Sequence, residues 1–146
     1  MLRKGYRYAI ILLWKIMHLG NAITAHDEWK TAFRDAIASH ETFDAVTISA
    51  DDCCELGQWL YGEGRRLFGK LPTHTHCVAT HKLFHLEAGK VAEAINAKNF
   101  ADADGMLAAD TSFSKTSNAL TAAILRLKKD AASSPGFISL IAKLSE

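Results

Sequence analysis

Hydrophobic positions along most of the chain recur at intervals of three and four residues, which is the spacing of an amphipathic helix. One such segment covers residues 21–39, the longest covers residues 73–96, and a third covers about residues 102–130. In the third segment the apolar positions form a continuous seam, which is typical of helices packed in a bundle. The pattern therefore predicts an all-α fold arranged as an antiparallel helical bundle.

The segment between the first two of these helices lacks the helical period. Residues 39–52 mix Thr, Asp, Ser and β-branched residues, which predicts a connection. A short helix is then predicted to begin near Asp52 and to carry Cys54, and Gly62-Glu63-Gly64 is predicted to end it as a turn. We therefore expect a short inserted helix, carrying Cys54, within the bundle.

Both ends of the chain differ from this bundle. Basic residues precede an apolar run at residues 9–14, which superficially resembles a signal peptide. Lys15 interrupts the run, which is far shorter than the ~20 residues of a membrane span. Residues 133–136 predict a linker, followed by a short amphipathic helix. We divide the chain into a basic and apolar extension (1–20), a helical bundle (21–130), and a linker with a short C-terminal segment (131–146).

Composition narrows the classes of function. A chain of 146 residues is about one domain long, and its formal charge of +1 offers no basic excess for nucleic acid. Three cysteines, at positions 53, 54 and 77, cannot form a closed set of intramolecular disulfides. This usage fits a reducing compartment, so we expect a cytoplasmic protein without nucleic-acid or membrane partners, whose cysteines are metal ligands or reactive thiols.

Four side chains suited to zinc lie on the predicted helices. His81 and His85 are four residues apart in the longest helix, so both imidazoles project from one face and can reach a single ion. His26 lies on the inward stripe of the first long helix, and Cys54 lies on the short helix. A thiolate together with imidazoles suits a tetrahedral Zn²⁺ better than it suits a hard, oxygen-seeking ion.

These residues stand in stretches that resemble the chemoreceptor zinc-binding (CZB) domain of bacterial chemoreceptors and some diguanylate cyclases. The most specific motif is Cys-x-Leu-Gly-x-Trp followed by Tyr-Gly-x-Gly, and Cys54 has the required offsets whereas Cys53 does not. The resemblance extends from about residue 23 to residue 127. The matching stretches are His26-Asp27-Glu28-Trp29-Lys30, Cys54-Glu55-Leu56-Gly57-Gln58-Trp59-Leu60-Tyr61-Gly62-Glu63-Gly64, Phe68-Gly69-Lys70-Leu71-Pro72 and His81-Lys82-Leu83-Phe84-His85.

The resemblance implies a four-helix bundle, a zinc site made of His26, Cys54, His81 and His85, and commonly a homodimer. It also implies a sensory or regulatory role in bacterial signal transduction, of the chemotaxis or cyclic-di-GMP type, rather than an enzymatic one. The signal is then zinc availability or an oxidant such as hypochlorous acid acting at Cys54. No signalling domain adjoins the segment in this sequence, so the partner is expected to be a signalling protein in trans.

Three alternatives remain open from the residues alone. The zinc can be purely structural, within a dimerisation module. A His-x-x-x-His pair in a helical bundle is also found in di-iron proteins such as hemerythrins, although those need bridging carboxylates that the face of His81 and His85 lacks. A catalytic zinc requires an open coordination position, which a set of four ligands does not leave.

Several neighbouring residues carry weaker expectations. Cys53 is a possible redox partner of Cys54, a resolving thiol, but a partly buried small residue is the simpler interpretation, and the same holds for Cys77. His74 and His76 are interpreted as surface histidines. Orientation of the ligating rings is expected from nearby carboxylates, which are Asp27, Glu28 and Asp52.

Overall fold

The computed structural model describes residues 15–16 and 18–144, and every regular element in this part of the chain is a helix. Three helices are long: α1 (Leu19–Ser39), α5 (Pro72–Asn96) and α7 (Ser112–Ala132). The predicted all-α class is confirmed, while the arrangement as a four-helix bundle stays a prediction. The short helices are α2 (Ala45–Ser49), α3 (Glu55–Tyr61), α4 (Glu63–Phe68), α6 (Phe100–Met106) and α8 (Pro135–Leu144).

Helix α5 is the central element, because it contacts α1, α2, α3, α4, α6 and α7. Its most extensive packing is against α7, which in turn packs on α1. Phe33 of α1, Phe84 of α5 and Phe113 of α7 meet in this core, with ring centroids 5.6–5.9 Å apart for the pairs that involve Phe113. Aromatic packing therefore joins the three long helices.

Two predicted helices agree with the structure within two residues, namely α1 and α5. The predicted third long helix is wrong in its first part, because the chain breaks between α6 and α7. Asp110 adopts a left-handed conformation with φ of 64°, and the Thr111 hydroxyl accepts a hydrogen bond from the amide of Ser114. A left-handed residue followed by a side-chain cap ends one helix and starts another, although the apolar spacing continues across the break.

The connection predicted at residues 39–52 also contains a helix, α2, which the sequence analysis missed. The Asp44 side chain caps its first turn, accepting hydrogen bonds from both the amide and the hydroxyl of Thr47. A helix of five residues is too short to show a hydrophobic period, so only the capping residue signals it. The short helix that was predicted to begin near Asp52 begins three residues later, at Glu55, and Cys54 is its capping residue rather than part of the helix.

The N-terminal extension lies mostly outside the described residues, as does its apolar run. No described helix is both long enough and apolar enough to span a bilayer. The C-terminal amphipathic helix is present as α8, which begins at Pro135 rather than at Phe137 and contacts α7.

Candidate metal centre

The structure brings His26, Cys54, His81 and His85 together, with one potential ligand atom from each lying within 4.8 Å of all the others. Nε2 of His81 is 3.2 Å from Nε2 of His26 and 3.0 Å from Nε2 of His85. The Cys54 Sγ is 3.9 Å from Nε2 of His26, 3.2 Å from that of His81 and 3.6 Å from that of His85. The four donors thus converge on one point.

These separations match a tetrahedral zinc site. With Zn–N near 2.0–2.1 Å and Zn–S near 2.3 Å, tetrahedral angles place two nitrogens about 3.3 Å apart and a sulfur about 3.5 Å from each nitrogen. Five of the six donor separations lie within about 0.4 Å of these values, and the sixth, between Nε2 of His26 and Nε2 of His85, is within 4.8 Å. The donor set is closed at four, which is the usual coordination of a structural rather than a catalytic zinc.

Two of the histidine rings are oriented by backbone carbonyls. The Nδ1 of His26 lies 2.6 Å from the carbonyl oxygen of Ala22, one turn earlier in α1. The Nδ1 of His85 lies 2.7 Å from the carbonyl oxygen of Ile48, at the end of α2. Both contacts require the proton on Nδ1, which leaves the Nε2 lone pair facing the cluster. The carboxylates predicted for this role, those of Asp27, Glu28 and Asp52, make no such contact with these ring nitrogens.

This tautomer assignment shows why the cluster needs a cation. Nε2 of His26 and Nε2 of His85 both present lone pairs, and both lie within hydrogen-bond distance of Nε2 of His81. One proton on His81 satisfies only one of them, and its other nitrogen, Nδ1, is buried without a partner. Three nitrogens and a sulfur facing one point are unfavourable unless a positive ion lies between them.

Burial keeps these imidazoles available as ligands. Desolvation lowers the pKa of His26, and it lowers the pKa of His81 to about 3. Both rings are therefore neutral at physiological pH, which is the form that binds metal. Burial raises the pKa of the Cys54 thiol, against an opposing effect of hydrogen bonds from backbone amides, the largest from Gly57. A cation at the centre of the cluster would favour the thiolate.

Cys54 owes its position to the start of α3. It has an extended conformation, and its sulfur accepts a hydrogen bond from the amide of Gly57 at 3.3 Å, as a capping residue does. The loop before it passes so close to α3 that a Cβ on Gly57 would lie 1.8 Å from the carbonyl oxygen of Asp51. Only glycine allows this approach, so the Leu-Gly pair after Cys54 fixes where the sulfur points.

One side of the cluster opens into a groove of about 390 Å³ between the start of α1 and α3. His26 and Cys54 are among its lining residues, whereas His81 and His85 are not. His81 is fully buried and His85 is 4% exposed. The thiol and one imidazole are thus the ligand candidates that face this groove.

The comparison with known families points to the same residues. Positions 26–92 match the family model of the chemoreceptor zinc-binding domain. This segment is similar to the CZB domain. The predicted family resemblance is confirmed over residues 26–92, a shorter span than the predicted 23–127, and all four clustered residues lie inside the matched segment. No curated protein and no solved structure matches the chain significantly.

The other histidines that the sequence analysis singled out, His74 and His76, lie outside the cluster. His76 is exposed as expected, but His74 is buried, and its Nε2 lies 2.9 Å from the carbonyl oxygen of Leu60. His74 therefore joins α5 to the end of α3, and the surface interpretation of it is wrong. Its place on the inward face of α5, at i−7 from His81, was the signal that the sequence offered.

The other two cysteines also differ from expectation. Cys53 is exposed rather than partly buried, and its thiol donates to Asp52 at 3.6 Å. Cys77 is fully buried, and desolvation raises the pKa of its thiol to about 12. Cys77 is consequently an unreactive core residue, whereas Cys53 is accessible beside Cys54.

Proposed function

We propose that this chain is a zinc-binding sensory or regulatory domain of bacterial signal transduction, with His26, Cys54, His81 and His85 as the four zinc ligands. The observation that carries the proposal is the convergence of four neutral or ionisable donors at tetrahedral spacing, with two rings already oriented by carbonyls. The family match supports the choice of zinc and the sensory role. Chemotaxis and cyclic-di-GMP signalling are both compatible contexts.

The ligands come from three parts of the chain, and this distribution supports a switch. His26 is on α1, Cys54 precedes α3, and His81 and His85 are on α5. A bound zinc would hold these elements together and keep the Cys54 sulfur deprotonated. In its absence, burial leaves Cys54 protonated and the three imidazoles facing one another without a shared cation. The packing of α1 and α3 against α5 therefore depends on occupancy.

Oxidants are a second signal that the site can accept, at Cys54. Its sulfur is partly buried and lines the groove next to the cluster. A thiolate reacts with hypochlorous acid to give a sulfenic acid and chloride, so the sulfur is oxidised by two electrons while chlorine is reduced. The sulfenic acid is a poorer zinc ligand, and condensation with the exposed thiol of the neighbouring Cys53 would give a disulfide and release water.

The proposal also covers the division of the chain into segments and its assembly. The zinc-binding bundle covers residues 21–130, flanked by the extension at 1–20 and the segment at 131–146. We propose a cytoplasmic homodimer that acts on a signalling protein in trans. This context follows the family and the reducing-compartment cysteine usage, and α8 offers a surface beyond the zinc site.

Two alternatives make different demands on the site. A hemerythrin-like di-iron centre needs carboxylate bridges, and among the described residues no Asp or Glu belongs to the metal cluster. A structural dimerisation module fits the same four ligands and differs only in having no response. The proposal therefore requires a measurement of response as well as of binding.

The first experiment is the metal content of protein purified without added metal, measured by elemental analysis. We expect about one zinc per chain in the wild type and in the matched controls Cys53→Ala and His76→Ala. We expect little zinc in Cys54→Ala and His81→Ala. Zinc content that is unchanged in those two variants would contradict the ligand assignment, and iron in place of zinc would favour the di-iron alternative.

The second experiment separates a sensor from a structural module. Hydrogen exchange is followed by mass spectrometry at the low and high ends of the physiological range of free zinc, set with a chelator buffer, and before and after a stoichiometric dose of hypochlorous acid. A sensor loses protection in α1 and α3 at low zinc and after the oxidant. A structural module retains its zinc and its protection at physiological zinc levels and after the oxidant.

A further inference from the structure

The short helix α2 and the residue before its cap form a strap, defined as residues 43–49, that crosses α5 and reaches the metal centre. At its far end, Ile48 is buried, and its carbonyl oxygen lies 2.7 Å from Nδ1 of His85. No other described element approaches that nitrogen within hydrogen-bond distance. The orientation of the His85 ring is thus set by a segment that contributes no ligand of its own.

The strap is fixed to α5 at its near end by a pair of hydrogen bonds. The side-chain oxygen of Asn96 accepts from the amide of Phe43 at 2.9 Å, and its side-chain nitrogen donates to the carbonyl oxygen of Phe43 at 2.8 Å. Asn96 is the last residue of α5, eleven positions after His85. Two paired hydrogen bonds of this kind hold the backbone of the strap in one orientation.

A third contact lies at the far end of the strap, where Ser49 closely approaches Gly89, a residue of α5 between His85 and Asn96. A Cβ on Gly89 would lie 2.0 Å from Oγ of Ser49, 3.0 Å from its Cβ and 3.2 Å from its Cα. Gly89 is one turn beyond His85, on the buried face of α5. Glycine weakens the interior of a helix, so its presence here is explained by the space that Ser49 needs.

From these contacts we infer that Gly89 is a positioning residue for zinc, acting through the strap on His85. The inference rests on the proposed zinc site. Without a side chain at position 89, α2 packs closely against α5, and the carbonyl of Ile48 reaches the His85 ring. A side chain there lifts the strap, and Nδ1 of His85 loses its acceptor. Partners that orient a ligating ring in this way typically change metal affinity about 10–100-fold.

The test compares Gly89→Ala with Gly105→Ala as a matched control. Both exchange a helical glycine for alanine, but a Cβ at Gly105 meets no atom within 4 Å. We expect Gly89→Ala to weaken zinc binding about 10–100-fold in a competition with a colorimetric chelator, and Gly105→Ala to leave it unchanged. The double variant Gly89→Ala with Ser49→Gly, which removes the Oγ and Cβ that clash, should recover most of the affinity.

A second readout follows the His85 ring itself by nitrogen-15 NMR of the imidazole. In the wild type its Nδ1–H should be slow to exchange with water, and in Gly89→Ala it should exchange faster, while His26 Nδ1–H is unchanged. A general loss of stability would speed exchange at both His26 and His85, so a change at His85 alone reports on the strap. Asn96→Ala, which releases the strap at a partly exposed position, should give the same His85 signature and serves if Gly89→Ala does not fold.

The outcomes are separable from those of the proposed function. Zinc affinity of Gly89→Ala within twofold of the wild type overturns the inference, and so does lost affinity with the His85 signal unchanged. Wild-type protein that binds no zinc contradicts the proposed function instead. In that case the His85 Nδ1–H signal of the metal-free protein still shows whether the strap orients the ring.

Discussion

The two halves of α5 bury different kinds of side chain. Within residues 72–85 the helix buries four polar residues, and within residues 86–96 it buries only small or apolar ones. The first set is His74, Thr80, His81 and His85, and the second is Ala88, Gly89, Val91, Ala92 and Ile95. One helix therefore combines a half that requires partners with a half that is stable by packing alone.

This difference between the two halves of α5 indicates which half depends on the metal for its stability. Buried polar atoms need hydrogen bonds or a cation, and in the first half the Nε2 atoms of His81 and His85 face the Cys54 sulfur, with Nε2 of His26 beside them. Buried alkyl groups in the second half are stabilised by removal from water, which needs no ion. We therefore expect zinc to control the first half and to leave the second largely intact, as the following predictions test.

The largest expected effect is the loss of zinc from His81→Ala. His81 is fully buried and lies 3.0–3.2 Å from the other three donor atoms, so its removal opens the centre of the cluster. We expect affinity to fall more than 100-fold, beyond the ~10–100-fold typical of residues that only support a ligand. Chelator competition measures it, with exposed His76→Ala on the same helix as the control. A full equivalent of tightly bound zinc in His81→Ala would refute the comparison.

The second effect concerns the apolar half, where Ile95→Ala should lower stability without touching zinc. Ile95 is 1% exposed, and a large-to-small change in such a core typically lowers the free energy of unfolding by about 2–5 kcal/mol. Urea unfolding should show this loss in both zinc-loaded and metal-free protein. Leu83→Ala, at a side chain that is 53% exposed, is the control and should change stability little. Weakened zinc binding in Ile95→Ala would show that apolar packing in this half supports the metal centre, in addition to the contacts of Gly89 and Asn96 with the strap.

A smaller effect is expected from Gly57→Ala, which tests how the Cys54 loop is held. The new Cβ would lie 1.8 Å from the carbonyl oxygen of Asp51, so the loop must move and carry the sulfur with it. We expect zinc affinity to fall about 10–100-fold, as for other residues that position a ligand. The absorption of the cobalt-substituted protein should report a changed thiolate contact. Gly105→Ala, with open space around its Cβ, should reproduce the wild-type spectrum.

The smallest effect is expected from Tyr61→Phe. Tyr61 is the last residue of α3, and its side chain contacts Asp51 in the loop before Cys54. The Tyr61 hydroxyl donates to the carboxylate of Asp51, which raises the pKa of Tyr61 to about 12 from its usual 10.0. A group whose folded pKa is raised stabilises the protein below its unfolded pKa, and that contribution is lost as pH rises through about 12. Since the side chain is 41% exposed, we expect a modest loss in urea unfolding at pH 7 and an unchanged zinc affinity. If the free energy of unfolding differed from that of the wild type by the same amount above pH 12 as at pH 7, the hydrogen bond to Asp51 would not be the source of the difference.

The sequence by itself determined the helices whose burial is periodic and the motif that marks the metal centre. The spacing of apolar residues is sufficient for α1 and α5, because a long amphipathic helix repeats its signal over several turns. The same spacing, with the offsets of Leu56, Gly57 and Trp59 after Cys54, selected the four residues that the structure brings within 4.8 Å of one another. A helical period and a short motif each depend on residues that are close together in the sequence, so both can be identified without the structure.

Only the tertiary structure decided what orients the ligands and what surrounds them. The carbonyls of Ala22 and Ile48 orient two of the rings. Every residue has a backbone carbonyl, so the sequence does not indicate which of them will contact a ring. The same is true of α2, whose five residues are too few to show a period, and of Gly89, whose value depends on Ser49 forty positions earlier. The Ala22 carbonyl and α2 are local features without a sequence signal, whereas the Ile48 carbonyl at His85 and the approach of Ser49 to Gly89 are contacts between distant segments, which exist only once the chain has folded.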